Sequence, residues 1–219
     1  MNYINNISVD TLETNINTVV SEKTTVKQDL VKEDQIGECL KFKKTKRYDV
    51  NKIADVWKIT FYTIPTTLKC FRLHIKKVSF EDQKRYEATY GDFDDKVKWR
   101  NCILEITSSE NKRFDVQRRH FLQTNDLQNG VMENIIIDQE RNGNTTSVLH
   151  EESPDQWLVV KNLLLMRDCN TGDVVVFSRV PSEPLMNDIE DALVEFGESG
   201  PINGTRACEG FVKAWVKVG

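Results

Sequence analysis

Residues 153–177, SPDQWLVVKNLLLMRDCNTGDVVVF, hold two apolar runs on either side of a polar turn. Short apolar runs bounded by turn chemistry and rich in Val and Leu are strands of a half-buried or buried sheet. The turn carries Asp168, Asn170 and Asp173 around Thr171-Gly172. Asn and Asp side chains bond to nearby backbone, and Gly takes positive φ without strain, so a hairpin accounts for the local chemistry. The alternative is a hairpin that also cradles a hard cation such as calcium. That needs about six to eight converging oxygens, of which Asp168 and Asp173 supply roughly two or three. Asp138 and Asn142, with Asn144, would add the rest if their loop lies at the same end of the fold.

The strand pattern extends upstream. VWKITFYT, 56–63, sets Trp57, Ile59 and Phe61 on one face, and Pro65 stops it. CFRLHIKKV, 70–78, turns Phe71, Leu73 and Ile75 inward and Arg72, His74 and Lys76 outward. WRNCILEIT, 99–107, puts Cys102, Leu104 and Ile106 on one side. KRFDVQRRHFL, 112–122, reads as a short strand pair or an irregular edge, and VMENIIID, 131–138, as a β-branched strand. Residues 81–96 read as a long polar connection with an acidic patch at Asp92, Asp94 and Asp95, and 139–155 as a loop. Strands follow one another with no helices alternating between them. The fold class expected is all-β, an antiparallel two-sheet β-sandwich.

Both ends of the chain differ from this middle. Residues 1–47, rich in Asn, Thr, Lys and Glu, sustain no hydrophobic period and read as a disordered tail. The tail ends in the basic cluster Lys43, Lys44, Lys46 and Arg47. The sandwich occupies 48–185. Within 186–219, MNDIEDALVEF spaces Ile189, Ala192, Leu193 and Phe196 at i, i+3, i+4, i+7, the stripe of a short amphipathic helix. Asn187 or Asp188 is placed to cap its start and Gly197 to end it. GESGPING, 197–204, reads as a linker, and FVKAWVKVG, 211–219, as a terminal strand.

Composition narrows the function. The 219 residues carry a net charge of −4, a pI near 5.5 and a mean hydropathy of −0.49, which argues against a nucleic-acid partner. No Gly-x-Ser-x-Gly, phosphate-binding glycine loop or C-x-x-C occurs, and His74, His120 and His150 lie in polar settings, so the chain reads as non-catalytic. The five cysteines are scattered and odd in number, which reads as free thiols of a reducing compartment. The N-terminus has neither a basic start nor an apolar core. No run reaches the ~18 apolar residues of a membrane span. A cytoplasmic protein without a transmembrane segment is expected, peripheral to the membrane where its basic cluster meets anionic lipid.

In order, Asp126-Leu127, Ile135 to Asp138, Gly143, Pro154, Trp157, Asp168, Thr171-Gly172 and Phe177 resemble the second half of a PLAT domain, the β-sandwich module found beside lipoxygenase and lipase catalytic domains and in polycystins. VWKITFYT resembles that family's opening strand. The resemblance is best over 121–196 and implies two sheets of four strands and a docking role, not catalysis. It departs after the opening strand, where YTIPTTLKCF, 62–71, has neither the Gly nor the Asp that contributes to calcium binding in the family. The function expected is therefore a non-catalytic interaction module that docks on a protein partner or an anionic membrane surface through its loops. The alternatives are a targeting fragment of a lipid-modifying enzyme and a structural or scaffolding β-protein. No cofactor is expected apart from calcium at Asp138, Asn142, Asp168 and Asp173. Trp157 is expected in the core.

Overall fold

The computed structural model describes Cys39 and residues 49–64, 70–108, 116–124, 130–140, 142–151, 153–200, 202–207 and 213–216. The tail before Cys39 and the basic cluster at 43–47 lie outside the described residues. The elements in chain order are helix α1 (Val50–Ile53), strands β1 (Val56–Tyr62) and β2 (Arg72–Lys77), helix α2 (Phe80–Tyr90), a 3₁₀ turn (Trp99–Asn101), and strands β3 (Cys102–Ser108), β4 (Val116–Gln123), β5 (Val131–Glu140), β6 (Thr145–His150), β7 (Asp155–Val160), β8 (Leu163–Asp168) and β9 (Val174–Arg179). Helix α3 (Met186–Phe196) and strands β10 (Ile202–Arg206) and β11 (Lys213–Val216) complete the order.

The antiparallel, mostly β class expected from the sequence is present, but the strands do not divide into two sheets. They run β1-β2-β3-β4-β5-β7-β8-β9, and β9 pairs back onto β1 through Trp57↔Arg179 to Tyr62↔Val175. This ring of eight antiparallel strands is a closed barrel. Closure removes the free edges that a sandwich must protect. β6 continues the β7 position, because β5 bonds β7 at Val131 and Met132 and β6 from Ile135 to Gln139. Outside the ring, β10 bonds the second half of β1 and carries β11 on its far edge.

Alternation alone could not separate barrel from sandwich, since both require one buried face per strand. Local bulges then shifted the faces. In β1 the register slips between Ile59 and Phe61 around Thr60, whose hydroxyl donates to the Val176 carbonyl at 3.0 Å. Phe61 therefore turns to the outer surface and Tyr62 faces in, against the simple alternation. A slip between Cys102 and Leu104 likewise moves Cys102 outward, away from Leu104 and Ile106.

Three apolar clusters result. The inner one contains Trp57, Ile59, Tyr62, Phe71, Leu73, Ile75, Leu104, Ile106, Leu122, Met132, Trp157, Leu164, Met166, Val175 and Phe177. Trp157 is thus in the core, its ring stacked on Phe177 with centroids 6.4 Å apart. A second cluster covers the outer face of β1 and β7–β9, where Phe61, Leu158, Leu165 and Val176 meet Ile189, Ala192, Leu193 and Phe196 of α3. The expected helical stripe is the buried one, and Gly197 ends the helix in the left-handed region at φ 105°. A third cluster lies under α2, where Tyr86, Tyr90 and Trp99 pack on Phe121, Ile135 and Ile137. The sequence reading of 81–96 as a connection missed this helix. Its buried residues are only Tyr86 and Tyr90, one turn apart, too few to register as periodicity, although its Ser79/Asp82 capping box is a local start signal. The loop reading of 139–155 similarly missed β6, and the linker reading of 197–204 missed most of β10.

The free-thiol expectation is also corrected. Cys39 is disulfide-bonded to Cys169 across 130 residues with Cα atoms 5.6 Å apart, and Cys70 is disulfide-bonded too. Spacing along the chain gave no hint of a pair so far apart. Disulfides persist in oxidising compartments, so the cytoplasmic expectation loses the thiol argument on which it rested. Among the described residues no helix is long and apolar enough to cross a membrane.

Two measurements check this architecture. A non-reducing peptide map should recover Cys39 and Cys169 in one cross-linked species, and Cys39→Ser/Cys169→Ser should cost roughly 4–5 kcal/mol from lost chain constraint. Alkylation of both thiols without reductant would contradict the pairing. A Cβ added at Gly204 would sit 2.1 Å from the ring of Phe61, which is fully buried beneath α3. Gly204→Ala should therefore cost about 1–3 kcal/mol in urea titrations, with part of the loss restored by Phe61→Leu.

Candidate functional site

The two ends of the barrel differ in chemistry. At one end α1 leads into β1, and the Trp57 indole N–H donates to the Ile53 carbonyl at 2.7 Å. The Arg179 guanidinium lies 4.5 Å over the Trp57 ring, donates to the Lys52 carbonyl at 2.8 Å and pairs with Asp55. The two-residue β7–β8 turn, with Lys161 and Asn162 at φ 48° and 68°, sits at this end as well.

The opposite end bears the β5–β6 and β8–β9 hairpins. Same-face residues change character along the strands towards it. On β4 the inward series is Leu122, His120, Arg118; on β5 it is Met132, Asn134, Ile136, Asp138; on β7 and β8 it is Trp157 then Asp155, and Met166 then Asp168. Leu122 and Met132 are 0% and 1% exposed, whereas the Arg118 and Asp138 side chains retain 23% and 18%. Asn134, Asp155, Asp168 and Asp173 are also partly accessible. The inward face is therefore apolar towards α1 and polar towards the hairpins, where it has two walls of different charge.

One wall is neutralised. Arg118 donates to both carboxylate oxygens of Asp138 at 2.7 and 2.9 Å, and Ser147 donates to the same carboxylate at 3.2 Å. The Arg118 hydrogen bonds hold the Asp138 pKa below the usual carboxylate range. The other wall is acidic. Asp155 and Asp168 oppose one another directly across β7 and β8, and the Asp168 N–H donates to the Asp173 carbonyl at 3.0 Å. Like charges placed opposite each other on one face repel. Burial pushes the Asp155 pKa up to about 8; a 2.7 Å hydrogen bond from the Asn134 amide opposes that rise, and the charges of Asp168 and Glu151 add to it. Burial raises Asp173 as well, with Asp168 adding to the shift against a Thr171 hydrogen bond. Among the described residues no Lys, Arg or His pairs with Asp155, Asp168 or Asp173. At the foot of this wall the buried Trp157 indole N–H lies close enough to the Asp155 carboxylate to act as its donor and favour the ionised form.

The four residues expected to hold calcium do not converge. Asp168 and Asp173 share the acidic wall. Asp138 sits six residues along β5 from Met132, the partner of Asp155, which is about 20 Å of strand. Its carboxylate is engaged by Arg118. Asn142 donates to Glu140 and accepts from the Asn144 N–H within its own turn. Asp168 is occupied in part as a turn residue, accepting from the N–H groups of Asn170 and Thr171 at 2.7 and 3.2 Å, as the hairpin reading requires. Among the described residues no group of three His, Cys, Asp or Glu side chains is arranged to hold a metal ion. Asp155 escaped the sequence reading because it falls at the end of a polar loop stretch, and only the β7–β8 register shows it opposite Asp168.

A recess, about 490 Å³, lies on the outer surface between α1 and strands β2 and β3, lined by Asp55, His74, Lys76, Lys77, Glu105 and Thr107. Its cations are engaged: Lys76 pairs with Glu105 at 2.9 Å and Lys77 bonds Asn51 at 2.6 Å. No protein-family model matches the chain, and no curated protein matches it.

The raised Asp155 pKa has a defined sign. The folded protein holds this proton up to about pH 8 while the unfolded chain releases it near 4. Between those values the folded state binds more protons, so this group's contribution to stability falls as pH rises. Asp155→Asn should therefore stabilise the protein at pH 8, by roughly 1–3 kcal/mol because the residue is only part-buried, and change little at pH 4. Thermal melts of the variant across that range test it; an equal shift at both pH values would show that the carboxyl is not desolvated.

Proposed function

We propose that this protein is a non-catalytic binding protein that takes one small ligand into the open end of its barrel. The observation that carries the reading is the inward face itself, fully buried and apolar at the floor, accessible and polar at the rim. Closed antiparallel barrels of about eight strands have an interior just wide enough to be filled by side chains or to hold one small ligand, as in lipocalins and streptavidin. In this reading the side chains fill only the lower part and leave a cup above it. An apolar floor with a few convergent polar groups and perturbed carboxyls is the usual composition of a small-molecule site. The fold alone would not support this; the site does.

The residues that line the cup give no reason to assign catalysis. Asp155 is the one strongly shifted acid there, and no nucleophile stands within hydrogen-bond reach of it among its bonded partners. The Cys39–Cys169 disulfide supports an oxidising working environment for this reading. The sequence reading expected docking on a protein partner or an anionic membrane surface; uptake of a small ligand is a different role.

A neutral fluorescent probe, Nile red, tests the cup. Titration should give saturable binding at one equivalent, with quenching of tryptophan emission that Trp157→Phe largely removes while binding persists. Non-saturable uptake, or none for Nile red and for a panel of neutral, cationic and anionic aromatics, would overturn the reading.

A further inference from the structure

We infer that the outer recess beside α1 binds a phosphate monoester, its dianionic head received by Lys76, Lys77, His74 and Thr107 and its organic part resting on Ala54 and Val56. The site is separate from the cup and does not depend on that reading.

The recess exists because β2 is left uncovered. α2 packs on β3–β5 and α3 on β1 and β7–β9. Between them the outward side chains of β2, Arg72, His74 and Lys76, stay exposed. In register, Val56 of β1 and Thr107 of β3 flank His74 on either side, and Ala54 lines the space from the end of α1. At about 490 Å³ the recess is of ordinary size for a small-molecule site and roomier than a bare anion needs.

Charge decides what such a space accepts. Its two acids are each answered by an arginine outside the lining. Asp55 pairs with Arg179 and accepts the Val56 N–H at 2.7 Å. Glu105 is buried and saturated: one oxygen accepts from Arg119 at 3.0 and 2.7 Å, the other from the Tyr86 hydroxyl at 2.8 Å and from Lys76 at 2.9 Å. A carboxylate offers about four acceptor sites, so a ligand finds none left on Glu105. Arg119 alone balances that charge, which leaves the charge of Lys76 unmatched. Lys77 bonds the neutral Asn51 amide at 2.6 Å, which leaves its charge unmatched too.

The hydrogen-bonding surplus has the same sign. Each ammonium has three donors, and each spends one on the partner just named. His74 and Thr107, opposite one another across β2 and β3, have no side-chain hydrogen-bond partner among the described residues. What remains is donors and positive charge, so a completing ligand accepts hydrogen bonds and is negative. A phosphate monoester brings three acceptor oxygens and close to two charges at neutral pH, whereas a sulfate ester brings one charge. An amine or metal ion would meet acids already taken.

Calorimetry at pH 7.5 and low salt with phenyl phosphate, phenyl sulfate and benzyl alcohol tests the inference. Phenyl phosphate should bind at one equivalent and at least about ten-fold more tightly than phenyl sulfate, and the alcohol should not bind. Lys77→Gln and Thr107→Val, which leave the Glu105 and Asp55 pairs untouched, should each weaken phenyl phosphate by about three- to ten-fold. Lys84→Gln, which removes a lysine lying over Phe80 on α2 and outside the recess, should leave affinity within about two-fold. Co-sedimentation with phosphatidylcholine vesicles carrying phosphatidate separates two sources of the group. Pelleting that phenyl phosphate competes away assigns a lipid headgroup, and no pelleting assigns a soluble ester. No saturable binding of phenyl phosphate, equal binding of the phosphate and sulfate esters, or an equal loss in Lys84→Gln and Lys77→Gln would overturn the inference and leave the cup reading untouched.

Discussion

Closure of β9 onto β1 is the constraint on which the rest of the molecule depends. Backbone pairing from Trp57 to Tyr62 joins the two ends of the ring, and at its base the Trp57 ring is held from two directions. The Ile53 carbonyl accepts its indole N–H, and Arg179 covers its face. Arg179 is the last residue of β9, so one side chain fastens the final strand to the first while bonding the α1 carbonyl that crosses the base. Without that joint, β1 and β9 would be edges, and the inner face would open to water from the side. With it, the inner cluster is enclosed by paired backbone all the way round the ring.

The outer face shows why the ring can afford so polar an interior. Much of its hydrophobic burial lies outside the barrel, under two helices on different sides. α3 covers β7–β9 and β1, and Arg167, itself buried, bonds the Phe196 carbonyl at the helix C-terminus and stacks on the Phe196 ring. α2 covers β3–β5 through an aromatic cluster of Tyr86, Tyr90, Trp99 and Phe121. Beneath α2, Glu105 is buried, yet hydrogen bonds from Lys76, Arg119 and Tyr86 outweigh that desolvation and hold its pKa down. A charged group so fully bonded fixes the orientation of α2 on the sheet. The helices thus supply apolar burial that the upper interior does not.

What the sequence made legible follows from period. The Trp57, Leu73 and Trp157 strands were readable because each alternates or runs apolar, and α3 was readable because Ile189, Ala192, Leu193 and Phe196 fall on one stripe. Closure was not readable, since a barrel and a sandwich ask the same of every strand and differ only in whether the last meets the first. Phe61 and Cys102 were assigned to the wrong face because a one-residue bulge inverts every side chain beyond it and leaves no mark in composition. The Cys39–Cys169 bond is a relation between residues 130 apart, invisible to any local window. The candidate site failed for the same reason. Asp168 and Asp173 were noticed in their turn, but Asp155 joins them only through register.

The hairpin that opened the sequence reading accordingly has two uses at once. As a turn it needs Asp168, whose carboxylate fixes the N–H groups of Asn170 and Thr171. Any acid or amide at that position would do this much. What the turn alone does not explain is an acid directly opposite it. A stability-optimised hairpin would place Asn, Thr or an apolar residue at 155, since a second carboxyl there is desolvated and repelled. Local preference is satisfied at 168 and violated at 155, and the violation lies on the inward face, beside the Trp157 indole. Departures of this kind concentrate where a protein holds something other than itself.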